Sequence, residues 1–498
     1  MEYVIGIDLG TSSVKALLVN REGKVCGEAS ESYPLITPKS GYSEQDPEEW
    51  VEKSLLALRK LAHESGIEAA SVKGISFSGQ MHGLVLLDDN HRVLRNAILW
   101  NDTRTTKQCR EIEEKLGEQL LSVTRNPALE GFTLPKILWV QQNEPELFAK
   151  ASVFLLPKDY LRYRLTGELG MDYSDAAGTL MLDVAGRRWS PEVLEAFGLD
   201  ESFCPKLVAS TECVGTLLPE MAVQSGLTAD VKVFGGGADN ACGATGAGIL
   251  GPGETLCSIG TSGVILSYEE NASADYEGKV HFFNHAEPDA FYAMGVTLAA
   301  GSSLSWFRDT FAPGSSFDEL LAGAATVPAG ADGLLFTPYL SGERTPHADS
   351  AIRGSFIGMD LRHKKEHFAR AVVEGITFSL RESIEILRGA GKQVDTIVSI
   401  GGGARSELWL QMQADIFNAE VVRLESEQGP AMGAAMLAAA GLSWFSSLKE
   451  CAGQFIAKAA SYKPSEDQVK LYNDLYPLYK EVYDSTQALN RKLEPFRS

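Results

Sequence analysis

The sequence predicts an α/β protein made of two related domains. Three observations carry that expectation. A length of 498 residues exceeds one ordinary domain, strand-like and helix-like stretches alternate, and a hairpin with a Gly-Thr-Ser tip occurs twice, about 250 residues apart.

Taken in order, residues 3–9 form a β-rich apolar run, Gly10-Thr11-Ser12-Ser13 a polar tip, and 14–19 a returning strand closed by the turn residues 20–23. Residues 48–63 carry apolar side chains at helical spacing. Strands are expected at 72–78 and 231–234. Glycine and proline concentrate at 246–253 and mark a boundary. The second hairpin follows: 254–259, the tip Gly260-Thr261-Ser262-Gly263, then 264–268. A helix is expected at 368–387 and a strand at 396–400. The Ala- and Gly-rich run 431–445 is too short to span a bilayer and reads as a tightly packed buried helix. Residues 467–493 read as a polar-faced helix carrying Tyr472, Tyr476, Tyr479 and Tyr483, packed on its own chain. The expected units are 1–246, 247–445 and a helical tail, 446–498.

Hydrophobic residues make up 44% and charged residues 22%, the balance of a soluble globular chain. A net charge of -21 argues against general binding to nucleic acid or anionic membrane, since both need a positive face. It does not argue against ATP, because backbone N–H groups and a bridging cation can hold a polyphosphate. Seven cysteines without a C-x-x-C pair read as free thiols, and the acidic start lacks the basic region of a signal peptide. A cytoplasmic location is expected; whether the chain forms a homodimer stays open.

Three glycine-rich turns follow predicted strands, at 10–13, 260–263 and 401–406. Glycine lets backbone approach phosphate or adenine closely, and Thr and Ser hydroxyls add donors; taken singly, such clusters are ordinary turns. Asp8 stands where alternation would not place a carboxylate, and suits either a Mg²⁺ ligand beside phosphate or a buried turn cap. Gly235-Gly236-Gly237-Ala238-Asp239-Asn240 brings an acid to a strand end, where it can take a proton from a substrate hydroxyl or simply cap the next helix. His82, in Ser78-Gly79-Gln80-Met81-His82-Gly83, either orients a polyol or is a satisfied turn histidine. The G-x-G-x-x-G at 246–251 lacks a preceding strand, so it is not a dinucleotide site. The H-x-x-E-H at 363–367 shows no third ligand in sequence, and reads as a solvated helix start. No P-loop motif occurs.

Two longer stretches are more specific. Gly131-Phe132-Thr133-Leu134-Pro135-Lys136-Ile137-Leu138-Trp139, and 354–359 continuing to 370–376, resemble the two signatures of the FGGY carbohydrate kinases, a branch of the actin, hexokinase and heat-shock ATPase superfamily. The resemblance covers nearly the whole chain. It implies two ribonuclease-H-like domains flanking a deep cleft, with the sugar and first phosphate loop in the first and nucleotide in the second. It also implies ATP and Mg²⁺ as cofactors and a small sugar as substrate. Stretches 78–83, 99–104 and 339–347 are most similar to those of members acting on D-xylulose, although many of these carry Gly where Thr103 stands. Residue by residue, the resemblance implies Asp239 as catalytic base, with Gln80, Met81, His82, Asn240 and Trp306 at the sugar. It implies Asp8 at the metal, Thr11, Ser12, Ser13, Gly260 and Thr261 at the phosphates, and Gly402 and Gly403 on the adenine side. The alternatives are a kinase of ribulose, gluconate or glycerol, or an actin-like or chaperone-like ATPase without a sugar substrate.

Overall fold

The computed structural model describes residues 1–497. Its first half is organised around a seven-stranded sheet. Strands β1 (Tyr3–Leu9), β2 (Ser13–Asn20) and β3 (Val25–Ser32) form an antiparallel meander. β4 (Val72–Gly79) adds parallel to β1; β5 (Cys213–Thr216) is antiparallel to β6 (Lys232–Phe234), which adds parallel to β4. The spatial order is β5-β6-β4-β1-β2-β3, and the two-residue β7 (Gly237–Ala238) pairs with the end of β4.

The second half repeats the plan. β8 (Glu254–Ile259), β9 (Gly263–Glu269), β10 (His281–Asn284) and β11 (Phe291–Thr297) pair antiparallel, and β12 (Thr396–Gly401) and β13 (Glu420–Leu424) add in parallel beside β8. With the edge strand β14 (Lys458–Tyr462), the order is β10-β11-β9-β8-β12-β13-β14. The five strands β6-β4-β1-β2-β3 therefore have a topological twin in β13-β12-β8-β9-β11. Both repeated hairpins head their sheets in the same way.

The central strands are buried on both faces, in β1 by a nearly continuous apolar run and in β4 by apolar residues interspersed with small Gly and Ser. Ile5, Ile7 and Phe77 pack with Trp50 and Leu58 of helix α1 (Pro47–Ser65) in one core, whereas Val4, Leu17 and Val19 face a second core continuous with the other half. α1 begins where Asp46 accepts the Glu48 N–H, ahead of Pro47, and ends at left-handed Gly66.

The halves are joined by closely approaching backbone. Helix α2 (Asp239–Gly246) follows the first sheet, while α5 (Pro430–Gly441) belongs in sequence to the second half yet lies on β1 and β4; between them in the chain come α3 (Gly301–Phe311) and α4 (Lys365–Gly389). A Cβ on Gly6 would stand 2.0 Å from the Ala431 carbonyl oxygen, and one on Gly433 1.9 Å from that of Cys242. Only small residues permit such contact. The run 246–251 thus packs as the end of α2, with Gly246 against Gly429 and Gly433. The last helix, α6 (Glu466–Leu493), packs on its own chain: Tyr472, Tyr476 and Tyr479 contact Phe378, and Tyr483 donates to Asp349. No helix among the described residues is long and apolar enough to cross a membrane.

Candidate active site

The parallel strands β1, β4 and β6 bring their carboxyl ends to one edge of the first sheet, the usual place for ligands in α/β sheets. Register sets the neighbours: Asp8 pairs with Ser78, and Ser78 with Gly237, so Asp8 and the glycine strap 235–238 flank one residue. Each glycine of the strap has a steric reason. A Cβ on Gly235 would lie 2.3 Å from the Ala209 oxygen, one on Gly236 (φ +79°) 2.6 Å from the Phe77 oxygen, and one on Gly237 3.1 Å from Cys242 Sγ. The strap delivers Asp239 as the first residue of α2.

Asp239 Oδ1 accepts the Asn240 backbone N–H at 2.7 Å and Asn240 Nδ2–H at 3.0 Å, leaving Oδ2 without a protein donor among the described residues. Burial, and after it the charge of Asp8, raise the Asp239 carboxyl from 3.8 to about 7. Burial also raises Asp8, against a hydrogen bond from Ser78 and the charge of Lys15. Lys15, opposite Asp8 in the hairpin, is turned toward Glu28 at 3.1 Å and Gln428 at 2.8 Å. Two neighbouring carboxylates thus stand at this sheet edge, each raised first by burial, and the charge of Asp8 adds to the rise at Asp239.

Asp239, Asn240, Met81 and His82 line a cavity of about 370 Å³ that Ser262, His281 and Arg344 complete from the second half. His82 adopts φ +68°, and its Nδ1 lies 2.7 Å from the Gly178 oxygen. A carbonyl can only accept, so Nδ1 carries the proton and Nε2 is the acceptor. Burial pushes the ring down to about 3, which keeps it neutral. Gly178 is needed here, because a Cβ would stand 2.8 Å from that Nδ1.

A second cavity, about 920 Å³, lies in the other half and is lined by Gly260, Thr261, Gly402, Gly403, Phe317 and Trp409, among others. The pairing Ile259↔Gly401 sets the two glycine turns side by side, and Gly301 N donates to the Gly260 oxygen at 2.8 Å, seating the tip on α3. The hairpin tip 260–262 borders both cavities: Gly260 and Thr261 face the larger one, Ser262 the smaller. The first hairpin reaches the smaller cavity through its wall residue Trp100, whose Nε1–H donates to Thr11 Oγ1 at 2.9 Å. Ser12 and Ser13 complete that tip; the Ser13 carbonyl accepts Gly10 N–H at 3.0 Å and the Ser12 carbonyl accepts Tyr33 N–H at 3.2 Å.

Two expected sugar contacts lie elsewhere. Gln80 is buried beneath the first hairpin, donating to Gln45 Oε1 at 3.2 Å, while Gln45 donates to the Thr11 carbonyl at 2.6 Å. It supports the first hairpin's tip instead of lining the smaller cavity: its backbone N–H still bonds the Leu9 carbonyl at 2.9 Å, and the chain bends only at 81–83, where Met81 and His82 reach that space. Trp306 does not line either cavity; just beyond Ser305 of the larger cavity's wall, it stacks on Phe336 at 6.3 Å and meets Phe311 edge-on.

Other residues enter that reading the sequence alone did not assign. Trp100, Glu130 and Arg344 line the smaller cavity. The buried Lys136 donates to the carbonyls of Glu130, Gly131 and Phe132, with 3.1 Å to the first and 2.8 Å to the last, and so shapes the cavity wall. The lysine inside the first signature was the available signal. The second signature is structural at its helical end: Arg370 and Tyr472 both bond Glu374 in the core. At 363–367 the structure supplies Asp332 beside His363 and His367, but both Nδ1 atoms accept backbone N–H groups. Metal binding through Nε2 would need a proton on each Nδ1, so the pair fits a helix start and not a zinc site.

Residues 3–246 match the N-terminal domain of the FGGY family of carbohydrate kinases, and 255–442 its C-terminal domain. The chain is 62% identical to the xylulose kinase of Bacillus subtilis over the whole of both chains. Among solved structures it resembles a "xyloylose kinase" from Brucella ovis (38% identity, TM-score 0.92, covering 98% of this chain and 100% of that one). It also resembles a ligand-bound xylulose kinase from Lactobacillus acidophilus (30% identity, TM-score 0.94, covering 99% and 100%). With both domains matched in order and a common two-domain α/β fold, this chain belongs to the FGGY family of carbohydrate kinases.

Proposed function

We propose that the protein transfers the γ-phosphoryl group of ATP to the terminal hydroxyl of D-xylulose, giving D-xylulose 5-phosphate, with Asp239 as general base. One observation carries the reading most. The carboxylate at the end of the glycine strap lies in a sugar-sized cavity that shares a Gly-Thr-Ser tip with a cavity large enough for a nucleotide. The names of the full-length relatives support D-xylulose as the acceptor.

Met81, neutral His82 through Nε2, and Asn240 hold the sugar. Asp239 Oδ2 takes the hydroxyl proton as that oxygen attacks phosphorus, and Asn240 keeps the other oxygen oriented. Thr11 and Ser12 from one hairpin, and Gly260 and Thr261 from the other, present backbone N–H groups and hydroxyls to the phosphate oxygens; Gly402 and Gly403 accept the base's flat face. Asp8 fits a Mg²⁺ site: a hard oxygen donor beside the phosphate loops, whose nearest lysine is committed elsewhere. Bound with the nucleotide, the ion neutralises phosphate charge. Proximity and fixed dipoles supply most of the rate, and the general base contributes about 10²–10⁴-fold.

The test is coupled ADP release with D-xylulose, the ribuloses, gluconate and glycerol. D-xylulose should give the highest kcat/KM; a higher value for another acceptor overturns the substrate assignment. Near-normal turnover by a folded Asp239→Ala variant overturns the base.

A further inference from the structure

Beneath the strap lies a fully buried ionic cluster that the reaction does not touch. Lys158 Nζ stands 2.7 Å from Asp159, 2.7 Å from Asp172 and 2.9 Å from Asp175. The three carboxylates have the spacing of a cation site, and the lysine ammonium is the cation that fills it. Burying so many charges is costly unless geometry holds them. What they hold is residues 172–178, a single helical turn (Tyr173–Ala177) entered by Asp172 and left by Gly178.

This turn touches the active site at both ends. At its start, Ser174 Oγ accepts the Ala238 N–H at 2.9 Å, while its own O–H is directed to Asp172 Oδ2, which also accepts Ser174 N–H at 2.8 Å. Ala238 is the residue before Asp239. At its end, the Gly178 carbonyl accepts His82 Nδ1–H. The cluster grips the neighbouring backbone too. Arg162, 3.3 Å from Asp159, donates to the Gly235 carbonyl, and a Cβ on Gly79, just before Gln80-Met81-His82, would lie 2.7 Å from Lys158 Cβ. Proton donor and acceptor roles are fixed throughout: a backbone N–H must donate, so the Ser174 hydroxyl must point its hydrogen at Asp172.

We infer that residues 172–178, clamped by Lys158, form a positioning element for phosphoryl transfer, setting through Ser174 and Gly178 where Asp239 and His82 stand relative to each other. The base and the sugar-holding histidine follow different strands, whose ends pair at Ser78–Gly79 and Gly237–Ala238; beyond that pairing, this turn makes a second bridge, through the Ser174 hydroxyl to one arm and the Gly178 carbonyl to the other. The inference rests on the reading of Asp239 as base. Ser174 and Gly178 touch neither substrate and act through the residues they hold.

The two ends should separate kinetically. Ser174→Ala removes the acceptor for Ala238 N–H, frees the strap and lowers kcat about tenfold or more, with the sugar KM changed less than about threefold, because reacting-atom placement is what suffers. Gly178→Ala drives a methyl into His82 and raises the sugar KM about tenfold, with the smaller effect on kcat. The KM for ATP stays within about twofold in both, since the nucleotide cavity lies in the other half. Steady-state kinetics of the full-length protein, with melting curves and calorimetric counting of ATP sites, read all three. Wild-type kcat in Ser174→Ala overturns the inference. So does a parallel fall of kcat in both variants that merely follows the loss of ATP-binding sites. Asp239→Asn runs beside them: turnover retained there refutes the base assignment itself, whereas turnover lost there with a silent Ser174→Ala refutes only the positioning role.

Discussion

Asp239→Asn should make the protein more stable while stopping turnover, and the gain should depend on pH. The Asp239 carboxyl is raised from 3.8 to about 7, burial first and Asp8 second. An acid held above its unfolded value destabilises the fold whenever it must ionise: the effect is absent below about pH 3.8 and complete above about pH 7. The difference of about 3 pKa units corresponds to about 4 kcal/mol. The cavity is open to water, which screens the charge, so a gain of about 2 kcal/mol is expected at pH 8. Asparagine keeps the volume and can still accept from Asn240, yet never carries the charge. The assay is urea unfolding of both proteins at pH 5, 6, 7 and 8, without ligands, comparing midpoints at matched slopes. The gain should grow up to about pH 7 and then level, and in the parent enzyme kcat/KM should fall on the acid side with a midpoint in the same region. A gain equal at pH 5 and pH 8, or a loss at pH 8, would refute the claim that this carboxylate is held under electrostatic stress.

Lys136→Met should raise the sugar KM about tenfold and leave the ATP KM nearly unchanged, because the carbonyls at 130–132 lose their shared donor and the cavity wall relaxes; steady-state kinetics with each substrate varied decides. Tyr472→Phe removes a hydroxyl bonded to Arg370 and Glu374, and should cost about 1–3 kcal/mol in urea unfolding with kcat unaltered, since the site is remote. Chelation of divalent cations should abolish turnover while sugar binding, followed by calorimetry, persists. Sugar affinity lost together with turnover would place the metal's role outside Asp8 and the phosphates.

Much of this was readable in one dimension. Local sequence carries the hairpins, since β-branched runs interrupted by Gly-Thr-Ser leave the backbone no better choice, and the observed strands Tyr3–Leu9 and Glu254–Ile259 fall where the runs do. The helix Lys365–Gly389 and the buried Pro430–Gly441 follow from spacing and from small apolar composition. The likeness of 131–139 and 354–376 to known signatures led to the family, and Asp239 stood out because an acid follows three glycines.

Other features were decided only by distant parts of the chain meeting. Gln80 and Met81 are adjacent in sequence, yet one side chain props the first hairpin and the other meets the smaller cavity, because the chain leaves its pairing with β1 after Gln80 and bends at 81–83. Trp306 is taken up by its stack on Phe336, distant in sequence, and its edge contact with Phe311, a partnership that the fold supplies. Lys158, Asp172 and Ser174 look like ordinary polar residues in a list of letters. They matter because the fold buries them together under a strap that begins 61 residues beyond Ser174. Sequence sets backbone propensity and the chemical alphabet of each loop; which hydroxyl meets which N–H across such a gap is settled by packing, whose energy depends on all the elements at once.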